Sequence, residues 1–262
     1  MNERGNSRVW IMRAVQASLR RLGTDHIDLY QVHRPEEETA IEETLSALTD
    51  LQRAGTIRAF GSSTFPGWQI VEAQWAADRR GLEWFRTEQP PYSILARHAE
   101  LDVLPVAAAH RMGVMVWAPL GRGWLTGRYR RGGFDRSPDS RATRSAARGG
   151  PVAAQFDEAR PEIQAKLDAV ERLAPIAEQA GMSMAHMAVA FTLEHPAVTS
   201  AIVGPRTPAQ LEDLLAGQDL RLDTTALDAI DVVVPPGSTV DQADWGFSPW
   251  WLEPPGRRRS TS

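Results

Sequence analysis

A short run, residues 27–35 (IDLYQVHRP), sets an ionisable side chain where a buried strand must stop. Ile27, Leu29, Tyr30 and Val32 supply its apolar surface, and His33, Arg34 and Pro35 close it. Proline brings no N–H to a ladder and biases the residue before it away from the helical region. Barrel and open α/β enzymes put their chemistry at such strand ends, which makes His33 a candidate catalytic residue; a partly buried histidine capping a loop is the other reading. Further strand ends are polar as well. IRAFGSS at 57–63 runs into Gly61, Ser62, Ser63 and Thr64, and the strand over 82–89 ends in Gln89 ahead of Pro90 and Pro91. VMVWAPL at 114–120 holds Trp117 and leads into Gly121 and Gly123. These glycines approach the GxGxxG phosphate-binding pattern, but Thr126 takes the place of the third, so the fingerprint is absent. The chain has no cysteine, which excludes disulfides, thiol catalysis and cysteine-ligated metals.

The elements that must position these residues follow from hydrophobic spacing. Residues 9–22 place Val9, Met12, Val15, Leu19 and Leu22 at helical intervals, stopped by Gly23. Residues 39–54 do so with Ile41, Leu45, Leu48 and Leu51, where Thr39 is the expected N-cap and Glu42 its capping-box partner. Helices are also expected over 67–80, 100–112 (Leu101, Leu104, Ala108 and Met112 inward), 163–179, 183–194 and 224–233. TSAIVG at 199–204 is a fifth strand; after it Thr207 caps a helix with Pro208 in the first position. Residues 121–159 lack periodicity and are rich in Gly, Arg and Ser: a lid, a ligand loop or disorder. Residues 235–262, with Trp245, Trp250 and Trp251, form an expected flexible tail. The recurring unit of strand, polar turn and helix, roughly 25–35 residues, means parallel strands joined by crossovers. It fits an open doubly wound sheet or part of a (β/α)8 barrel.

Composition narrows the class. The chain has 262 residues, 42% hydrophobic and 24% charged, with net charge -4. That suffices for one sizeable α/β domain or two small ones. No basic excess points to nucleic acid, and no apolar run could span a bilayer. The first ten residues, MNERGNSRVW, are not a secretory signal, so a cytoplasmic protein is expected.

Several blocks in order resemble the aldo-keto reductase superfamily, nearest to its bacterial long-chain, potassium-channel β-subunit-like branch. They are SLRRLGTDHIDLYQVHRP (18–35), EETLSALTDLQRAGTIRAFGSSTF (42–65), EQPPYSILAR (88–97), the VWAPLGRGWLTGRY block that contains Trp117, and VTSAIVGPRTPAQLEDLLAG (198–217). The resemblance implies a (β/α)8 TIM barrel binding NADP(H) at its C-terminal face and reducing aldehydes or ketones, with a small-molecule carbonyl as substrate and no metal. Carried onto this sequence, it makes His33 the histidine that orients the carbonyl. Ser63, Thr64 and Gln89 match the residues on the nicotinamide carboxamide, although Thr64 stands where the family has asparagine. Trp117 matches the aromatic stacked on nicotinamide, and Leu120, Gly121 and Gly123 the loop over the pyrophosphate. Gly204 and Arg206 match the side of the adenosine 2'-phosphate, and Gln210, Glu212 and Asp213 the surroundings of the adenosine. Asp213 replaces a common asparagine. Read singly, Trp117 also fits a core residue, Ser63 a strand cap and Arg206 a surface residue.

The family's catalytic set also holds an aspartate, a proton-donating tyrosine and a lysine that lowers the tyrosine pKa. All three precede the helix with which this chain opens. Tyr30, Tyr92 and Tyr129 do not match that tyrosine, and the single lysine, Lys166, lies in a later helix. The expectation is an N-terminally incomplete barrel over 1–234, with strands equivalent to the fourth to eighth, impaired in catalysis as given. Its unpaired edges would favour self-association. A non-catalytic cofactor-binding or regulatory subunit, or an inactive fragment, are the alternatives.

Overall fold

In the computed structural model, which describes residues 4–246, five strands alternate with helices. They are β1 (Ile27–Val32), β2 (Ile57–Ser63), β3 (Thr87–Gln89), β4 (Gly113–Trp117) and β5 (Ser200–Ile202), in that order across one sheet. β1 to β4 pair in parallel, with Val32 opposite Ser62, Ser63 opposite Gln89 and Thr87 opposite Gly113. Parallel neighbours require crossover connections, which accounts for the helices between them. The chain divides into two compact units, Met1–Pro90 with Leu101–Met115, and Pro91–Glu100 with Val116–Ser262.

The first unit holds α1 (Arg8–Leu22), α2 (Ile41–Arg53), α3 (Gly67–Arg80) and α4 (Val103–Ala109). Gly23 ends α1 in the left-handed conformation at φ 66°, as its sequence predicts. The buried stripe of α1, however, is Ile11, Val15 and Leu19, a single row at four-residue spacing; Val9, Met12 and Leu22 are exposed. The expected cap of α2 also differs. The Thr39 hydroxyl bonds the Glu36 carboxylate instead, so the helix starts after Ala40 without a side-chain cap. The third strand is shorter than 82–89, because Leu82 N–H closes the end of α3 on Ala77 O and the chain extends only later. The helix expected over 100–112 is a turn at His98–Glu100 followed by α4. Asp102 accepts from Gly67 N–H at 2.8 Å, and α4 then buries Val103, Leu104 and Ala107 and leaves Leu101 and Ala108 exposed.

The second unit holds α5 (Arg141–Arg148), α6 (Gly150–Ala154), α7 (Pro161–Gln179), α8 (Met184–Glu194), α9 (Pro208–Ala216) and α10 (Thr224–Val233). Thr207 caps α9 through Gln210 N–H with Pro208 in the first turn, as expected. Residues 121–159 carry more structure than a loop. Trp124, Tyr129, Phe134 and Phe156 pack together with ring centroids 5.0–5.8 Å apart, Trp124 and Phe156 stacked and the other pairs tilted or edge-on. Such packing needs no helical periodicity, which is why hydrophobic spacing does not reveal it. Residues 235–246 are also pinned: Arg97 N–H donates to Ser238 O and Val240 N–H to Leu95 O, at 2.8 and 3.0 Å. Trp250, Trp251 and the terminal arginines lie outside the described residues. Among the described residues no helix is long and apolar enough to cross a membrane.

Candidate functional site

In the first unit the expected residues sit at the C-terminal ends of adjacent strands. Val32 opposes Ser62, so His33, exposed, follows the end of β1 beside Ser63 at the end of β2. His33 lines a depression of about 340 Å³ with Tyr30, Gln31 and Glu36. Ser63 opposes Gln89, and its Oγ donates to Gln89 O at 2.9 Å. Thr64 N–H donates to the same carbonyl at 3.2 Å. Thr64 is left-handed at φ 61°, a conformation that a β-branched residue adopts only under constraint.

Strand alternation turns the neighbours of Ser63 and Gln89 to the opposite face. There Ser62 and Glu88 form a fully buried pair, with Ser62 Oγ 2.5 Å from Glu88 Oε2 and Phe65 N–H donating to Oε1 at 3.2 Å. Burial pushes the Glu88 carboxyl up to about 8, against the opposing pull of its hydrogen bonds. Glu88 is therefore protonated at neutral pH. It sits inside the quoted EQPPYSILAR block, yet an acid before a polar strand end reads as exposed, and only register reveals the burial.

In the second unit a cleft of about 590 Å³ starts from Trp117 at the end of β4. Leu120 and Gly123 line one stretch of it, and Gly204, Arg206, Gln210 and Asp213 another. Gly121 and Glu212 do not line it; Gly121 packs on Leu95 and Leu125, and Glu212 is exposed on α9. A Cβ at Gly204 would meet nothing within 4 Å, so packing does not demand its small size. Arg206 N–H donates to Gln210 Oε1 at 2.8 Å, fixing the turn into α9.

Five arginines, Arg122, Arg128, Arg141, Arg144 and Arg206, line the cleft against one carboxylate, Asp213. Carboxylates outside the lining pair three of them, Asp135 with Arg128 at 2.6 Å, Asp139 with Arg206 at 3.5 Å and Asp244 with Arg122 at 3.4 Å, and the cation excess left at Arg141 and Arg144 suits an anion. Asp139 binds three of the five: its carbonyl accepts from Arg144 and Arg206 at 2.5 and 2.7 Å, and its carboxylate is 3.8 Å from Arg128. Ser137, and after it the arginines, hold Asp139 below its ordinary pKa. Among the described residues no carboxylate pairs with Arg141, whose pKa is lowered by desolvation and then by repulsion from Arg122.

Of these arginines only Arg206 is expected from the sequence; Arg122, Arg128, Arg141 and Arg144 are not. Arg141 and Arg144 fall in the stretch SPDSRATRSAARGG, which composition assigns to a loop. The aromatic cluster holds them in place: Tyr129 Oη accepts from Ala142 N–H at 3.2 Å, and Ser140 caps α5 through Thr143 N–H at 3.1 Å. The signal was present as four aromatics in a Gly- and Arg-rich segment.

Tyr92, Tyr129 and the lysine are engaged elsewhere, while Tyr30 lines the depression beside His33. Tyr92 Oη donates to Glu100 at 2.6 Å, and burial, then Glu100, raise its pKa. Burial also raises Tyr30. Lys166 is completely buried between Asp241 and Asp244, at 3.0 and 2.7 Å.

Comparison with known proteins identifies the family. The model of the "Aldo/keto reductase family" matches residues 1–235. The uncharacterized oxidoreductase YrpG of Bacillus subtilis is 34% identical over 241 residues, covering 92% of this chain and 68% of its own. A probable voltage-gated potassium channel subunit beta of Arabidopsis thaliana is 34% identical over 236 residues, covering 89% and 69%. A putative subunit beta of Schizosaccharomyces pombe, 35% identical, is matched over 59% of its length. The structure of a glycerol dehydrogenase from Gluconobacter oxydans superposes with TM-score 0.72 at 30% identity, covering 88% of this chain and 67% of that one. The chain thus spans about 59–69% of the length of these relatives.

Proposed function

Because the chain belongs to the aldo/keto reductase family, we propose that its arginine-lined cleft binds NADP(H) and that the whole protein reduces aldehydes or ketones to alcohols. The observation that supports the reading is the charge of the cleft lining, five arginines of which Arg141 and Arg144 pair with no carboxylate among the described residues. A dinucleotide phosphate offers the anions such a cleft needs, and guanidinium groups bind phosphate through two N–H groups at once. When bound, the cofactor supplies the hydride. Trp117 offers a flat aromatic face at one end of the cleft. The Ser63 hydroxyl, its proton already given to Gln89 O, keeps lone pairs to accept a carboxamide N–H. Exposed at its strand end, the His33 imidazole can donate to a carbonyl oxygen.

Protonating the developing alkoxide is the step this chain serves poorly. Tyr92 gives its proton to Glu100, Tyr129 accepts from α5, and Lys166 is spent on two aspartates. No tyrosine here has a lysine to lower its pKa, so general acid catalysis is weak. This favours a second reading, a non-catalytic cofactor-binding subunit, for which the relatives named as potassium channel β subunits are a precedent.

The test is a titration of the 262-residue chain with NADPH and NADH, followed by quenching of tryptophan fluorescence. Saturable quenching with NADPH at least about tenfold tighter supports the reading, tenfold being roughly the 1.4 kcal/mol of one charged contact. Arg141→Ala should erase that preference. Absence of saturable binding overturns the reading. NADPH oxidation with a reactive aromatic aldehyde then separates the two roles, since turnover within about tenfold of a complete reductase excludes the second.

A further inference from the structure

The buried triad of Lys166, Asp241 and Asp244 is not required by any step above, yet it reaches the cleft. Lys166 on α7 has no solvent exposure and is held at 3.0 Å from Asp241 and 2.7 Å from Asp244. Two carboxylates around one ammonium leave a negative charge over. Burying such a group is costly unless the excess charge finds a partner. It finds Arg122: Asp244 Oδ1 is 3.4 Å from Arg122 Nε. The Arg122 guanidinium lies 5.3 Å from the centre of the Trp117 ring, and both residues line the cleft.

The backbone at this contact is left-handed. Arg122 is left-handed at φ 59° between Gly121 at 54° and Gly123 at 102°. Glycine adopts that conformation freely, whereas arginine holds it only where surrounding contacts dictate. Gly123 N–H and Leu125 N–H hold the bend on Leu120 O at 2.9 and 3.1 Å, and the turn at Gln242–Trp245 meets the Arg122 side chain through Asp244. Asp241 caps that turn through Ala243 N–H at 3.0 Å, and Trp245 stacks on His98 with ring centroids 5.4 Å apart. The turn therefore has its own anchors on both sides of Asp244.

We infer that Asp244, anchored by Lys166, is a positioning residue that holds Arg122 against Trp117 as a fixed cation for an anionic group of the bound dinucleotide. The inference rests on the cofactor reading of the cleft. An arginine on an unrestrained loop would have to be ordered at binding, whereas this one is ordered beforehand, so less of the contact energy is lost. Residues 241–245 thus act on the ligand without touching it.

A double-mutant cycle on the full chain tests this, with Asp244→Asn, Arg122→Gln and the double variant titrated with NADPH. Each single variant should weaken binding about tenfold, the size of one charge-assisted contact. The double variant should be no weaker than Arg122→Gln alone, because Asp244 acts only through that arginine. If Asp244→Asn weakens binding as much in the Arg122→Gln background as in the wild type, its role is merely structural and the inference is overturned. Unchanged affinity of Asp244→Asn overturns it too. Lys166 keeps Asp241 in that variant, which favours folding; should it nonetheless fail to fold, Arg122→Gln decides alone, since unaltered affinity removes the cation on which the inference depends. A wild-type chain that does not bind NADPH overturns the cofactor reading itself, which separates that failure from these.

Discussion

Glu88→Gln should abolish a pH dependence of stability that the wild-type chain carries. The carboxyl is fully buried, with Ser62 Oγ at 2.5 Å and Phe65 N–H at 3.2 Å as partners. Burial raises its pKa from 4.5 to about 8. The sign follows from linkage. A raised folded-state pKa means that, between those two values, the unfolded chain has released its proton while the folded chain keeps it. The contribution is complete below about 4.5 and is lost as pH rises to about 8. At about 1.4 kcal/mol per unit, the whole window is worth about 5 kcal/mol, and the interval from pH 5 to 7.5 about 3 kcal/mol. Glutamine has the shape of the protonated acid, keeps an oxygen for Phe65 N–H, and cannot ionise. Urea unfolding followed by circular dichroism, run on both proteins at several pH values from 5 to 8, measures the difference directly. Other titrating groups are shared and cancel in that difference. The variant should gain on the wild type with each step upward in pH. A stability difference that stays flat across the range would show that Glu88 ionises at its ordinary pKa, and the burial argument would be wrong.

Three further outcomes follow from packing. Lys166→Met leaves Asp241 and Asp244 facing each other in the interior, and should cost about 3–5 kcal/mol, read as a lowered melting temperature. Gly61→Ala brings a Cβ to 2.6 Å from the Thr87 carbonyl oxygen, a backbone atom that cannot swing aside, so β2 and β3 must part at about 1–3 kcal/mol; denaturant titration checks it. Trp124→Ala empties the centre of the aromatic cluster, at about 3–5 kcal/mol in the same assay. It should also weaken NADPH binding although Trp124 touches no ligand, because α5 and its arginines hang on that cluster.

What could be read in the sequence was whatever local chemistry decides. Thr207 and Pro208 start α9 and Gly23 ends α1 because capping and left-handed turns depend on a few adjacent residues. The strand ends bearing Ser63, Gln89 and Trp117 were legible for the same reason, as a break after an apolar run. What depends on distant partners was not. The buried row of α1 was misassigned because Val9, Met12 and Leu22 match the helical spacing as well as Ile11 does, and only a packing partner chooses between rows. Thr39 lost its capping role to Glu36, three residues away but bound side chain to side chain. Glu88, Lys166 and Arg141 all owe their character to burial or to neighbours far along the chain, which no spacing rule encodes.

The distribution of charge has a consequence for how the protein should be assayed. Every arginine of the cleft, its aromatic end at Trp117 and the triad behind Arg122 belong to the second unit, and each is held by contacts within that unit. Ser63, Gln89 and His33 belong to the first, where they are held by strand pairing and by the buried Ser62–Glu88 contact. Under the proposed reading, phosphate recognition draws on a different set of interactions from those that orient a carboxamide or a carbonyl. Since charged contacts supply most of the discrimination between a dinucleotide with a 2'-phosphate and one without, a preference for NADPH over NADH would report on the second unit. On the second reading proposed above, binding without turnover is expected, because Tyr92, Tyr129 and Lys166 are committed to structure. It follows that affinity for the cofactor carries no information on catalysis, and that only the aldehyde assay bears on it.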